Sequence, residues 1–145
     1  MPTILCLTSY EKGQDFLREC RKAGARTLLL TVEKLSAADW PADAIDERYL
    51  MPSLDNVEHA TNAVSYLART ERIDRIVALD EFDMELAAHL REHLRIPGPG
   101  VTPTRSTRDK LVMRELANRA GIPQPGFTGV ANHADLPEFL RATDA

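Results

Sequence analysis

Residues 3–32, TILCLTSYEKGQDFLRECRKAGARTLLLTV, decide the fold. The apolar run at residues 3–8 is bounded by Ser9 and Gly13, as a buried strand should be. Phe16, Leu17, Cys20 and Ala23 then recur at helical spacing over residues 15–23. That run stops at Gly24, a residue that closes helices because it takes left-handed backbone angles without a Cβ clash. Residues 26–32 carry Leu28-Leu29-Leu30 and read as a second buried strand. Strand, helix, strand predicts a parallel pair, because parallel neighbours need a crossover connection.

The alternation continues outward. SAADWPADAIDE, residues 36–47, has the prolines and small polar residues of a surface excursion. Residues 48–51 fit a short strand ending at Pro52. Residues 56–70 set Val57, Ala60, Val64, Leu67 and Ala68 on one face of a helix, with Asp55 placed to cap it. Residues 75–79 form the next buried strand, and residues 82–94 the next helix. Residues 96–100, Ile-Pro-Gly-Pro-Gly, cannot remain helical, and a short edge strand fits there. The first hundred residues thus predict an α/β domain with a doubly wound, Rossmann-like parallel sheet. Beyond it come a helix at residues 106–120, an extended piece at 127–130, and a helix at 134–142 with Leu136, Phe139 and Leu140 on its apolar side. The expected divisions are an α/β domain at residues 1–103, a linker helix and turn at 104–126, and the start of a second fold at 127–145.

Composition narrows the function. The chain has 145 residues, 43% hydrophobic and 28% charged, with a formal net charge of -4. These are ordinary globular proportions, and the acidic balance argues against a general nucleic-acid binder, which needs cations to displace phosphate counterions. The apolar run Ile4-Leu5-Cys6-Leu7 is too short for a signal-peptide core, and nothing approaches the roughly 20 apolar residues of a spanning helix. No membrane partner is expected, and the cytoplasm is the simplest compartment. Cys6 and Cys20 lack metal-type spacing and read as reduced packing residues.

Ligands of open parallel sheets bind beyond the carboxyl ends of the strands. That directs attention to residues 8–13, the loop after Val32, and residues 80–83. Residues 8–13 contain neither GxGxxG nor GxxxxGK[ST], which discounts a dinucleotide or P-loop site. Asp80 and Glu81 directly follow a strand and are candidates for facing a substrate. Asp83 and Glu85 instead suit the start of a helix, where carboxylates complement the dipole. His89 and His93 stand one turn apart, but without HExxH a charged helix face accounts for them, and no metal site is assigned. Lys110 and Arg114 lie together at the edge of an apolar arc made by Val112, Met113, Leu116, Ala117 and Ala120. Ser106-Thr107-Arg108-Asp109 is patterned like a capping box, which puts Lys110 near a helix start. Like charges at this spacing repel unless an anion lies between them, so either a phosphate or a solvated basic face explains the pair.

GPGVTPTRSTRDKLVMRELANRAGIPQPGF, residues 98–127, resembles the seam in ATP-grasp ligases between the pre-ATP-grasp domain and the ATP-grasp fold. The matching points are the Gly-Pro-Gly turn, Asp109-Lys110 opening a helix, and Gly121-Ile122-Pro123 with Pro125 closing it. The strand end IVALDEFD and the missing dinucleotide turn are similar to the N-terminal domains of carboxylate–amine ligases, the biotin carboxylase and carbamoyl-phosphate synthase relatives among them. The resemblance implies ATP and Mg2+ as cofactors, and small-molecule carboxylate and amine substrates. It implies that Lys110 reaches ATP phosphates, with Arg114 behind it, and that a carboxylate is activated as an acyl phosphate. A homodimer is compatible with it. The family's second ATP lysine, glycine-rich lid and Mg2+ ligands would lie past Ala145, so the chain reads as a truncated, inactive N-terminal portion. The rival is a non-catalytic flavodoxin- or receiver-like module that binds a partner or small effector.

Overall fold

A computed structural model describes residues 1–143. The chain divides into two compact units, residues 1–104 and residues 105–145. In the first, β1 (Thr3–Thr8), β2 (Arg26–Val32), β3 (Glu47–Met51) and β4 (Arg75–Ala78) form one parallel sheet in the order β3-β2-β1-β4. Helices α1 (Gln14–Lys22), α2 (Val57–Leu67) and α3 (Met84–Leu94) make the crossovers and the closing layer.

Register explains why both strand runs are apolar without alternation. Leu5 lies opposite Leu28 on one side and Ile76 on the other, and Cys6 opposite Leu29 and Val77. Leu5, Leu7, Leu28, Leu30 and Val32 pack with Ala60 and Val64 of α2 and with Leu86, Ala87 and Leu90 of α3. On the other face Cys6 and Leu29 meet Leu17 of α1, together with Trp40 and Ala44 from the excursion after β2. Each strand therefore needs apolar side chains in both directions, and each fully buried leucine contributes roughly 1.5–3 kcal/mol. Cys6 and Cys20 are free and buried. Burial pushes the Cys6 thiol up to about 12 and raises that of Cys20, which makes both packing groups rather than nucleophiles.

The amino ends of the strands are tied by carboxylates. Asp74 accepts from the Thr3 N–H at 2.9 Å and Asp46 from the Thr27 N–H at 2.8 Å. Arg26 bridges Glu71 and Glu47. The opposite ends are left for the loops that follow.

Several local expectations are corrected. Asn56, not Asp55, caps α2, its side chain accepting from the His59 N–H at 2.9 Å, while Asp55 bonds Ser53. The helix expected from Phe82 begins at Met84, because Asp80 takes the Phe82 N–H and winds Glu81–Asp83 into a tight 3-10 turn. Residues 96–100 form no strand; the Arg91 guanidinium instead donates to the carbonyls of Ile76 and Pro99, each at 2.8 Å. The single helix expected at 106–120 is two, α4 (Val101–Arg108) and α5 (Lys110–Arg119). Asp109 divides them: its backbone is extended and its carboxylate accepts from the N–H groups of Leu111 and Val112, the role of an N-cap. Pro103 is tolerated because it sits in the first turn of α4. Residues 127–130 enter no ladder among the described residues, and α6 (Asp135–Thr143) follows them.

Candidate functional site

Strand order places the site. The chain moves outward from β1 to β2 and β3, then returns to the far side of β1 for β4. The reversal directs attention to the carboxyl edge of the sheet between β1 and β4, where ligands of open parallel sheets bind. Residues 9–13 and 80–83 line it.

The two loops are bonded directly to each other. Asp83 is buried and accepts from the Ser9 N–H at 2.7 Å and from the Ser9 hydroxyl at 2.6 Å. Thr8 shapes the same turn: its hydroxyl donates to the Tyr10 carbonyl at 2.6 Å, and its own carbonyl accepts from Thr31 Oγ1 at 2.7 Å. Gly13 then enters α1 with φ of 89°, and a Cβ there would stand 2.7 Å from Leu79 beside β4. Only glycine combines that angle with that closeness.

Lys12 bonds the Asp80 carboxylate at 2.6 Å, an exposed ammonium on an enclosed acid. This partner holds the Lys12 ammonium above its ordinary pKa. The same two loops carry two aromatic rings. Tyr10 and Phe82 are both exposed, with centroids 5.2 Å apart and planes tilted by 39°. Lys34, from the turn after β2, places its ammonium 5.5 Å from the Tyr10 ring centre, within cation–π range. Loops from three strands thus converge on one rim.

Asp80 and Glu81, the acids expected to face a substrate, differ. Asp80 is turned inward, engaged by the Phe82 N–H and by Lys12, whereas Glu81 is exposed. Asp83, expected to serve its helix, stands at the N-cap of α3 without capping it and holds Ser9 instead. The Ser9–Asp83 link and the Tyr10–Phe82 pair escaped sequence reasoning. Both segments could be recognised as strand ends, but nothing in the string says that residues 74 apart meet. His93 shares a hydrogen bond with Ser65 at 3.0 Å. Among the described residues, no group of three potential ligands could hold a metal ion.

Lys110 and Arg114 belong to the second unit. Lys110 is the first residue of α5 and exposed, and among the described residues it forms no ion pair; Asp109 beside it is occupied by the cap. Arg114 follows one turn on, where its carbonyl accepts from Gln124 Nε2 at 2.7 Å. Gly121, with φ of 71°, ends the helix, and the N–H groups of Gly121 and Ile122 close onto the carbonyls of Asn118 and Ala117. The helix start, its basic pair and its stop form one local unit.

No family model matches the sequence, and no curated protein matches it. Solved structures do match the fold. The L-amino acid ligase from Bacillus licheniformis aligns with TM-score 0.70 and 16% identity over 99% of this chain and 41% of its own. The biotin carboxylase domain of 2-oxoglutarate carboxylase from Hydrogenobacter thermophilus, in complex with MgADP, ADP and bicarbonate, aligns with TM-score 0.72 and 22% identity, over 97% of this chain and 32% of its own. The ADP complex of N5-carboxyaminoimidazole ribonucleotide synthetase gives 0.74 and 18% over 97% and 35%. This chain thus spans about two fifths or less of the proteins it matches, and it shares its α/β fold with that part of each of them.

Proposed function

We propose that this chain is the amino-terminal portion of an ATP-dependent ligase that activates a small-molecule carboxylate for attack by an amine or related nucleophile. The observation that carries this reading is Lys110. It opens a capped helix, exposed and with no carboxylate partner among the described residues, at the point where the resemblance to ATP-grasp ligases calls for a phosphate-binding lysine. An ammonium so placed fits a polyphosphate, and Arg114 adds a second cation one turn along the helix. The fold match across the whole chain supports the assignment.

In such a reaction a carboxylate oxygen attacks the γ-phosphorus of ATP, ADP leaves, and the acyl phosphate is then opened at its carbonyl by the amine, with loss of phosphate and a proton. Lys110 would offset charge on the phosphates as the first bond breaks. In the ligases that the seam resembles, the Mg2+ ligands belong to the ATP-grasp fold, and there the ion would help Lys110 to offset the phosphate charge. Residues 1–103 would supply the substrate crevice, 104–126 the seam, and 127–145 the beginning of the nucleotide-binding subdomain. By itself the chain would be inactive.

The test is a polypeptide continued past Ala145, assayed for ADP release against a panel of carboxylates and amines. Release should require both substrates, and Lys110→Ala should lower kcat/KM by about a hundredfold or more, the scale of losing one electrostatic contact to the transition state. Unchanged turnover would remove Lys110 from the phosphate site. A coding sequence that stops after Ala145 would favour the binding-module alternative.

A further inference from the structure

We infer that the rim formed by Tyr10, Phe82 and Lys34 selects the substrate, and that the group it takes is a flat apolar or aromatic side group borne by an anion such as a carboxylate. The inference rests on the crevice being the substrate side of the proposed ligase and adds the class of molecule it accepts.

Three observations carry it. The first is the exposure of the rings: Tyr10 is 44% and Phe82 55% exposed, yet the two are in contact with each other across two different loops. Centroids 5.2 Å apart at a 39° tilt leave a shallow two-walled platform, and a third ring can add to it edge-on or offset. The second is bracing. Ser9, next to Tyr10, is fixed twice to Asp83, next to Phe82, and Lys12 is fixed to Asp80, so the loops carrying the rings are held before a ligand arrives. Pre-ordered loops avoid an entropic cost on binding. The third is charge. Asp80 is paired with Lys12, Asp83 is turned inward onto the two Ser9 donors, and Glu81 is exposed beside Phe82, while Lys34 stands over Tyr10 on the opposite loop and forms no ion pair among the described residues. An anion attached to a ring on this platform would meet Lys34.

A cavity of about 600 Å3 elsewhere in the unit, lined by Ile76, Ala78, Met84, Ala87, Arg91 and Pro99, runs along β4 and away from these loops. It has apolar walls, and both of its cations are bonded elsewhere, Arg91 to two carbonyls and Arg75 to the Asp74 carbonyl.

The experiment uses the 145-residue chain labelled with 15N and no nucleotide, titrated with 3-phenylpropionate, propionate and phenethylamine. 3-Phenylpropionate should saturate shifts at the amides of residues 9–12, 34 and 81–83, with propionate and phenethylamine at least about fivefold weaker, the scale of one lost aromatic contact. Tyr10→Ala, whose turn is made by backbone atoms and Thr8, should keep its dispersed spectrum and bind 3-phenylpropionate about five- to tenfold more weakly, as should Lys34→Met. Absence of shifts at these residues, binding by the variants equal to the parent, or tighter binding of phenethylamine would each overturn the inference. Because no ATP is present, this result is independent of ADP release by the longer polypeptide. Failure of either experiment identifies which of the two readings is wrong.

Discussion

At the scale of single residues, Asp83 shows how a helix-start acid can be diverted to another task. Its two bonds reach Ser9 on a different strand's loop rather than the N–H groups of its own helix. Asp83→Asn keeps the shape but replaces an acceptor-only carboxylate with an amide that cannot satisfy both Ser9 donors equally. Urea denaturation should show a loss of about 1–3 kcal/mol. Asp46 makes a different prediction. The Thr27 N–H, and then Arg21, hold its carboxyl below the ordinary aspartate range. A carboxylate lowered in the folded state gives stability that is present above its unfolded pKa and is lost as pH falls through the folded one. Asp46→Asn should therefore flatten the decline in stability below about pH 4, measured as the urea midpoint against pH. Neither role was visible in the string, where Asp83 reads as a helix-start acid and Asp46 as part of a surface excursion.

At the scale of elements, the sequence was most informative where one physical demand acted alone. The limits of β1 and β2 follow from uninterrupted apolar runs, and the structure returns them as Thr3–Thr8 and Arg26–Val32. It was least informative where side chains compete with the backbone. Asp109 divides the helix expected at residues 106–120 because its carboxylate can bond two amides just ahead, and periodicity alone does not register that competition. Asn56 and Asp55 were interchangeable on composition, and only backbone angles decide between them. Gly13 tests the reverse case, a residue fixed by backbone need. Gly13→Ala combines left-handed angles with a contact of 2.7 Å to Leu79 and should cost at least about 1–2 kcal/mol in thermal or urea unfolding.

At the scale of the whole chain, one sheet separates two differently built cores, and the crevice sits where strand order reverses between β1 and β4. Leu28 and Leu29 are adjacent, fully buried, and point into opposite cores. Either leucine changed to alanine should cost about 2–5 kcal/mol by urea denaturation; a small effect at Leu29 alone would mean that the α1 side can collapse into the gap. Alternation of strand and helix was enough to foresee the sheet and which loops border its crevice. The contents of that crevice were not, since Ser9 meets Asp83 and Tyr10 meets Phe82 only after β4 has returned beside β1.

The reach of Arg91 to the Ile76 carbonyl bears on how the protein behaves in a crowded solution. β4 is one of the two outer strands, and a bare outer strand is a template onto which a stranger's backbone can zip. A guanidinium at 2.8 Å from one of its carbonyls occupies a rung of that template and sets a positive charge on it. The same arm, through its second bond to Pro99, drapes a stretch with two prolines beside the strand, and prolines lack the N–H that a growing ladder requires. Where an edge strand was expected at residues 96–100, a guanidinium and a proline-bearing stretch stand beside β4 instead.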